Sequence, residues 1–533
     1  MLVPEALAYA SIAGVSPVVG LYAAPGALVL YALFGSSKHL VVGPMAATAA
    51  LSAAAVAPYA DLGTDEFLSL TIALALVVGV IALVAGLLRL GFLASFISEP
   101  VLKGFIIGLA LTIIVGQLPK LFGVEKGDGD FFEQLWDLLR ELGDTSGLTL
   151  LVGLLSLGLV VLLKERAPAI PGSLAAVLLG IAAVAAFNLD QHGVAIVGNI
   201  DGGLPSLGLP DAGLGDYLDL GAVAFGVMFV GFAEGVGAAK TYATKFRYDI
   251  DPSRELVGLG AANIASGLSS GMVVNGSLSK TAVNAGAGAK SQLSGLVVAA
   301  LTVLTLLFFT GLFEQLPEAT LAAVVIAALI ELVDIRALIR LYRLHTSGLQ
   351  RIYGVAARAD FIAAVAALGG VLVFDTLPGL FIGVVLSLLL LLYRASRPHV
   401  AVLGRIPGRM GEFGDIERHP EYEPIEGVVV LRVEGGLFFA NADAVRARIR
   451  TRAAQPGTKA VVLDAETVPF IDFTAAMMLA QLAAEVERDG VALLIARDIG
   501  QVGDVLRGVA DGPPIRTYPT VEDAVDAIRG PDA

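Results

Sequence analysis

Cysteine is absent from the 533 residues, which excludes disulfides, thiolate catalysis and cysteine-ligated metals. The five histidines are scattered, without zinc-binding spacing. There is no nucleophile–base or metal constellation, so the sequence does not read as an enzyme, and no cofactor or metal is expected. Charge is scarce, at 16% Asp, Glu, Lys and Arg, against about 25% in soluble domains. The net charge of −14 leaves no basic footprint for nucleic acid, so no nucleic-acid partner is expected. The N-terminus lacks a basic n-region and a cleavage motif, so no cleavable signal peptide is expected.

What remains is apolar. Hydrophobic residues make up 56% of the chain, and the mean hydropathy is +0.80. The expected fold class is an α-helical polytopic membrane protein whose surroundings are a lipid bilayer. At roughly 20 residues per span, fourteen spans are read at 1–14, 17–35, 44–59, 67–89, 92–116, 147–163, 171–187, 217–240, 254–270, 277–288, 291–311, 318–333, 358–375 and 377–394. Pro4 and Glu5 follow Met1 so closely that the chain is expected to begin inside its first span.

Lys and Arg set the expected topology. With the N-terminus inside, the loops Ser36–His39, Arg89–Gly91, Lys164–Arg166, Lys245–Arg254, Lys290, Arg336–Arg358 and Arg394–Arg397 fall inside, and most are basic. The outside loops Asp61–Glu66, Glu314–Glu318 and Asp375 are acidic. The long outside loop Lys120–Ser146 is mixed, and Phe131–Leu142 within it reads as a short amphipathic helix. Both termini are therefore expected in the cytoplasm, with the chain multi-pass in the cell (inner) membrane.

After Arg397 the composition changes. Residues 398–426, with several Pro and Gly, read as a linker. Strands are expected at Gly427–Val433, Ala460–Asp464 and Gly490–Ala496, and helices at Thr474–Arg488 and Val521–Ile528. Strands alternating with helices predict a small α/β domain over 427–533 on the cytoplasmic side.

The stretch Gly271–Lys290, GMVVNGSLSKTAVNAGAGAK, is small, polar and glycine-rich between apolar segments. Non-helical backbone at membrane depth survives only inside protein or beside a water-filled cavity, so the stretch reads as the lining of a site. Gly276, Ser277, Leu278 and Ser279 can open a half-helix whose amides point at an anion, and Lys280 adds a positive charge. Val41–Thr48 echoes it: laid by hand against Val273–Lys280, each starts with a Val pair, breaks at Gly43-Pro44 or Asn275-Gly276, and restarts as a small-residue helix. Paired interruptions in two halves of a chain point to a transporter site.

Ionisable residues inside spans are functional candidates because burial is costly. Glu5 follows a helix-kinking proline; it reads either as a proton acceptor, since burial disfavours a carboxylate's charged form, or as a terminal residue near water. Glu234 lies in the glycine-rich run Phe229–Gly237 and reads as a proton or cation site, as a structural ion pair, or as both, with Lys280 its expected partner. Glu99 and Lys103, four residues apart near a span end, read as structural or interfacial. Glu331, Asp334 and Arg336 read as solvated, and Tyr9 and Tyr22 as site lining or packing.

The residues also resemble a known family. Pro4-Glu5-Ala6-Leu7-Ala8-Tyr9-Ala10, Gly14-Val15, Pro17-Val18 and Gly20-Leu21-Tyr22 resemble the signature of the sulfate permease (SulP) anion transporters, which include prestin. Ser98, Gly104-Phe105, Gly108, Gln117–Gly123, Gly276–Asn284 and Gly288–Lys290 fit the same pattern. The resemblance implies two inverted repeats of seven spans (about 1–190 and 215–394, within a transport domain over 1–397), a core and a gate, and elevator-like motion. It also implies that the third and tenth spans are half-helices flanking the anion. Carried over by motif, that places Gly43, Pro44, Met45, Ala46 and Ala47 on one side and Gly276, Ser277, Leu278, Ser279 and Lys280 on the other, with Tyr9 and Glu5 alongside. Glu234 falls on the eighth span, where some relatives hold a coupling cation.

The C-terminal domain resembles a STAS domain through Asp464 and Phe470-Ile471-Asp472-Phe473-Thr474-Ala475. Phe473 stands where anti-sigma-factor antagonists carry a phosphorylatable Ser, which argues against that phosphoswitch and leaves Thr474 open. In the family this domain supports dimers, so a homodimer is expected. Lys280 stands where many relatives have Arg, which leaves preference among anions open.

The expected function is secondary active transport of an anion of the sulfate, bicarbonate or C4-dicarboxylate class, coupled to a proton through Glu5 or Glu234. Sodium coupling, exchange and a passive channel or motor are the alternatives within the family. A nucleobase permease is disfavoured by the STAS-like domain, and a signalling protein by Phe473.

Overall fold

The computed structural model describes residues 2–92, 98–127, 129–167, 170–200, 202–330, 332–343, 359–374, 376–409, 411–509 and 515–529. Glu331, Asp375 and most of the Arg336–Arg358 loop lie outside them. The chain divides into two compact units, one taking the described residues up to Ser387 and the other those from Leu388 on.

The first unit is helical apart from two short strands. Its elements are α1 (Leu2–Ile12), α2 (Pro17–Phe34), β1 (Val41–Gly43), α3 (Ala46–Val56), α4 (Asp65–Leu87), α5 (Glu99–Phe122), α6 (Phe131–Glu141), α7 (Gly147–Arg166), α8 (Gly172–Phe187), α9 (Leu214–Phe246), α10 (Pro252–Leu268), β2 (Asn275–Ser277), α11 (Leu278–Gly286), α12 (Leu293–Phe308), α13 (Glu318–Ile330), α14 (Ile335–Arg343), α15 (Ala359–Phe374) and α16 (Thr376–Ala395), with the unit boundary inside α16. Every apolar segment read from the sequence falls on a helix. Among the described residues, α2, α4, α5, α7 and α9 are each long and apolar enough to cross a membrane alone.

Helix ends follow local chemistry. The Thr64 hydroxyl accepts from the Phe67 N–H to cap α4, and Asp65 and Glu66 sit in its positive first turn. The Asp251 carboxylate caps α10, and Pro252 fills its first position, where no N–H is needed. The span expected at 92–116 is displaced: α5 starts at Glu99, behind Ser98 and with Pro100 in its first turn, and runs on to a left-handed Gly123 (φ 72°). Glu99 and Lys103 form the expected i,i+4 pair at 2.6 Å, with Glu99 77% exposed, so it contributes little.

Helices pack in two groups. In one, α2 and α4 lie against α10, with α1 and α12 on α2 and α9 on α4; in the other, α5 packs on α13 and α15, and α7 on α8 and α13. Small residues permit the close approaches. A Cβ on Gly79 would stand 2.9 Å from the Gly260 carbonyl oxygen, and one on Gly260 would stand 2.8 Å from that of Gly79. Glu255, fully buried at the start of α10, accepts from the Tyr31 hydroxyl (2.7 Å), the Ser36 N–H (2.8 Å) and hydroxyl (2.6 Å), and the Ser37 N–H (2.8 Å). That buried carboxylate therefore has hydrogen-bond partners, and it fixes the turn that delivers the chain into β1.

The second unit carries a six-stranded sheet in the order β4-β3-β5-β6-β7-β8, from β3 (Val400–Arg405), β4 (Phe413–Asp415), β5 (Val428–Val433), β6 (Ala460–Asp464), β7 (Ala492–Ala496) and β8 (Thr517–Tyr518). Strands β5 to β8 are parallel, and β3 runs antiparallel to both of its neighbours. Its helices are α17 (Ala442–Ala453), α18 (Phe473–Arg488), α19 (Gly500–Val509) and α20 (Val521–Arg529). Alternation along the strands sends Leu431, Val461 and Leu493 into the core under α17 and α18, and Val430, Val462 and Leu494 into the core under α20. The expected strands and helices are present, with one correction. Residues 398–426, read as a linker, contribute β3 and β4, because Val400–Leu403 is a buried apolar run that pairs with β5 despite the flanking Pro and Gly.

Candidate functional site

The two interrupted segments meet. β1 and β2 pair antiparallel, Val41 with Ser277, Val42 with Gly276 and Gly43 with Asn275. Each strand feeds a short helix, α3 or α11, so the two helices leave the strand pair in opposite directions. Met45 is the N-cap residue of α3 and Ser277 that of α11, the same two positions that the hand-laid echo places opposite each other. Pairing satisfies the backbone of both breaks, which membrane depth demands.

Side chains tie the halves together. The Ser277 hydroxyl accepts from the Lys280 N–H at 3.2 Å and lies 3.2 Å from the Ser279 hydroxyl. Thr281 donates to the Ser277 carbonyl and accepts from the Val41 N–H of the opposite strand at 3.0 Å. Gly276 sits on the Leu40 side chain, which a Cβ would meet at 2.7 Å. Met45, Ala46, Ala47 and Ser277 are buried, whereas Leu278 and Ser279 are exposed in the first turn of α11.

Lys280 crosses from α11 to the other half. Its ammonium donates to the Pro44 carbonyl, stands 3.4 Å from the Glu5 carboxylate, and lies 5.0 Å from the centre of the Tyr9 ring. Glu5 and Tyr9 are one turn apart on α1 and therefore share a face. Glu5, Tyr9, Pro44 and Lys280 thus come together, with both members of the ion pair 4% exposed.

Glu234 differs from expectation. Lys280 pairs with Glu5, not with Glu234, because α1 packs against α3 and brings Glu5 to the head of that helix. Glu234 is half-buried on α9, and its Oε2 has no hydrogen-bond partner. The glycines beside it do let α9 approach β2: a Cβ on Gly235 would stand 3.0 Å from the Asn275 side-chain oxygen.

Sequence reasoning missed two amides. Asn263, buried in α10, donates to the Leu259 and Val274 carbonyls and accepts from the Val274 N–H, each at 2.9 Å, bracing the chain just before β2. The signal was available: an amide in an apolar span must find partners. Asn275 is buried with its Nδ2 unpartnered, and lines a small cavity together with Thr48, Phe232 and Asn263. Among the described residues no His/Asp/Glu cluster could hold a metal.

In the second unit, buried Asp464 accepts from Arg432 at 2.7 Å and from Arg497 at 3.1 Å and 2.5 Å. Asp472 caps α18 through the Ala475 N–H and also accepts from the Phe439 N–H, both at 2.8 Å. Phe473 and Thr474 follow it, exposed.

Broken helices that start at paired strands inside an apolar helical body, with one buried cation at their heads, define a membrane transporter. Comparison with known proteins supplies the family. The sulfate permease family matches residues 1–353 and the STAS domain residues 419–524. A probable sulfate transporter of Mycobacterium tuberculosis is 36% identical over 533 residues, covering 99% of this chain and 93% of that protein. The chloroplastic sulfate transporter 4.1 of Arabidopsis thaliana is 32% identical, covering 93% of this chain and 73% of that protein. Among solved structures, the murine solute carrier 26 family member A9 anion transporter in the inward-facing state superimposes with a TM-score of 0.89 at 23% identity, covering 99% of this chain and 89% of that one. The transmembrane domain of a cyanobacterium bicarbonate transporter, BicA, gives a TM-score of 0.60 at 23% identity over 71% of this chain and 93% of that one. The chain belongs to the sulfate permease family of anion transporters and carries a C-terminal STAS domain.

Proposed function

We propose that the protein is a secondary active symporter that carries a small oxyanion, sulfate first, together with a proton. The observation that carries this reading is the Lys280–Glu5 pair. Lys280 is the one buried cation at the strand crossing among the described residues, and in this state a carboxylate neutralises it. A proton on Glu5 removes the competing charge and frees Lys280 for an anion held by the first-turn amides of α3 and α11 and the Ser277 and Ser279 hydroxyls. The proton also offsets charge that an inside-negative membrane opposes by about 2.3 kcal/mol per charge per 100 mV. The names of the relatives favour sulfate; bicarbonate and C4-dicarboxylates are the next candidates.

The two helix groups support an elevator-like motion, with the strand crossing and its surrounding helices as the moving core and the α5, α7, α13 and α15 group as the gate. The matching caps at Met45 and Ser277 support inverted repeats over about 1–190 and 215–394. The basic loops favour cytoplasmic termini in the cell membrane, and we read the assembly as a homodimer.

Uptake of radiolabelled sulfate, bicarbonate and a C4-dicarboxylate into proteoliposomes, with and without an inward proton gradient, tests the reading. Gradient-dependent accumulation of sulfate that is lost in Glu5→Gln supports it; accumulation indifferent to the gradient overturns proton coupling. A second reading, sodium coupling, draws on the unpartnered Oε2 of Glu234. It requires uptake driven by a sodium gradient and abolished in Glu234→Gln.

A further inference from the structure

The helix α6 connects two long apolar helices, α5 and α7, each able to cross a membrane alone. Their ends are held together, with the Ser146 N–H donating to the Phe122 carbonyl at 3.0 Å. The intervening excursion is therefore fixed at one membrane–water boundary. It does not stand away in water. The Gln134 side-chain oxygen lies 3.4 Å from the position of a Cβ on Gly116. Gly116 is six residues before the end of α5, or about 9 Å along it, so α6 lies beside the last turns of that helix.

The sequence of α6 divides into faces. Leu138 is buried, 5% exposed, on the side that packs on α5 and α15. Phe132, Trp136 and Leu139, spaced i, i+4 and i+7, form an apolar stripe that is 51%, 56% and 52% exposed. Glu133 and Arg140 lie on the polar side. The capping box between Asp130 and Glu133 gives this short helix a firm start. The Arg140 guanidinium sits 5.2 Å from the Trp136 ring centre, a cation–π contact that places a phosphate-binding group next to an interfacial aromatic.

We propose that α6 is an interfacial anchor, with the Phe132–Trp136–Leu139 stripe seated in the lipid headgroup boundary and Arg140 reaching lipid phosphate. The occupant is lipid because α7, which begins six residues after α6 and is apolar enough to cross a membrane, exposes Leu151, Leu154 and Leu155 in its first turns, so hydrocarbon begins close to the stripe. Glu133, Asp137 and Glu141 outnumber Arg140 on this helix, so apolar burial drives the docking and anionic lipid is not required. Packed on α5 and α15, the anchor fixes that helix group to the bilayer surface.

Trp136 is the sole tryptophan of the chain, so the intact protein carries its own reporter. Its fluorescence is measured in phosphatidylcholine nanodiscs whose lipids are brominated near the headgroup end or near the methyl end of the chain, and with iodide added to the water. An anchor seated about 5–10 Å into the boundary predicts the greatest loss of emission with bromine near the headgroup end, less near the methyl end, and little with iodide. Strong loss with iodide and none with bromine would place Trp136 in water. Greatest loss near the methyl end would place it deep in the bilayer, and no loss with either quencher would mean that protein covers it; each of these overturns the proposal. In Trp136→Phe/Asp137→Trp the reporter moves to the polar face with the capping box intact, and the expected order reverses in favour of iodide.

Discussion

The Lys280 ammonium stands 3.4 Å from the Glu5 carboxylate, with both side chains 4% exposed. Removing one member of a buried pair strands the other, at a cost of about 3–5 kcal/mol, whereas removing both is far milder. Lys280→Met should therefore lower the unfolding midpoint sharply, and Lys280→Met/Glu5→Gln should recover most of the loss. Thermal unfolding in detergent checks it. Additive losses in the double variant would mean that the pair is not coupled. Both variants should lose anion binding, since neither retains the cation.

Asn263 makes three hydrogen bonds of 2.9 Å, two of them to the backbone of Val274. Asn263→Leu preserves volume but leaves the Val274 N–H and C=O unmatched where water is scarce, and each orphan costs about 1–3 kcal/mol. The strand β2 then loses its brace and the Ser277 cap its fixed position. Substrate affinity should fall more than about tenfold at a cost of this size. Binding of labelled anion to the purified variant checks it, and unchanged affinity would show that β2 is held by pairing with β1 alone.

Much of this site was legible because its breaks are local chemistry. Gly43-Pro44 and Asn275-Gly276 interrupt helices wherever they stand. The partner of Lys280 was not legible: Glu5 and Glu234 are both lone carboxylates in apolar spans, and only the packing of α1 on α3 decides between them. The strands β3 and β4 were hidden by the Pro and Gly around Val400–Leu403, since β5, the partner of β3, lies beyond that segment. Among the described residues, five of the fourteen predicted segments fall on helices that could cross a membrane alone; the shorter ones were read as apolar segments too, but the contacts that seat them, such as α1 on α3, stand in no window of sequence.

His39 connects three elements at the turn before β1. Its Nδ1 lies 3.1 Å from the Tyr248 hydroxyl, its ring stacks on Phe246 at 4.3 Å, and it is 3% exposed. Burial pushes the imidazole below its ordinary 6.5; hydrogen bonding to the Ala289 carbonyl works in the other direction, and Lys38 adds to the lowering. A folded value below the unfolded one means that the unfolded chain binds more protons, so stability rises with pH in this window. The contribution of His39 is present above 6.5 and is lost as the pH falls beneath it. Wild type should lose more thermal stability between neutral and mildly acid pH than His39→Gln, and parallel curves would refute the assignment.

Asp464 is fully buried at the end of β6, between Arg432 from β5 and Arg497 beyond β7. Glu466 adds a second carboxylate 2.8 Å from Arg497. Three adjacent parallel strands are thus clamped at their carboxyl ends by one acid. Asp464→Asn retains the shape but removes the charge, leaving two guanidinium groups facing each other with only half-exposed Glu466 between them. A buried network broken on one side loses about 3–5 kcal/mol, a large share of the roughly 5–15 kcal/mol that holds a domain of this size. The loss should be confined to the STAS domain, because no residue of the quartet belongs to the helical unit. Limited proteolysis of the full chain separates the outcomes. Rapid cleavage after Arg397 with an intact helical fragment is expected; simultaneous loss of both units would show that the STAS domain supports the fold of the transporter as well as its own.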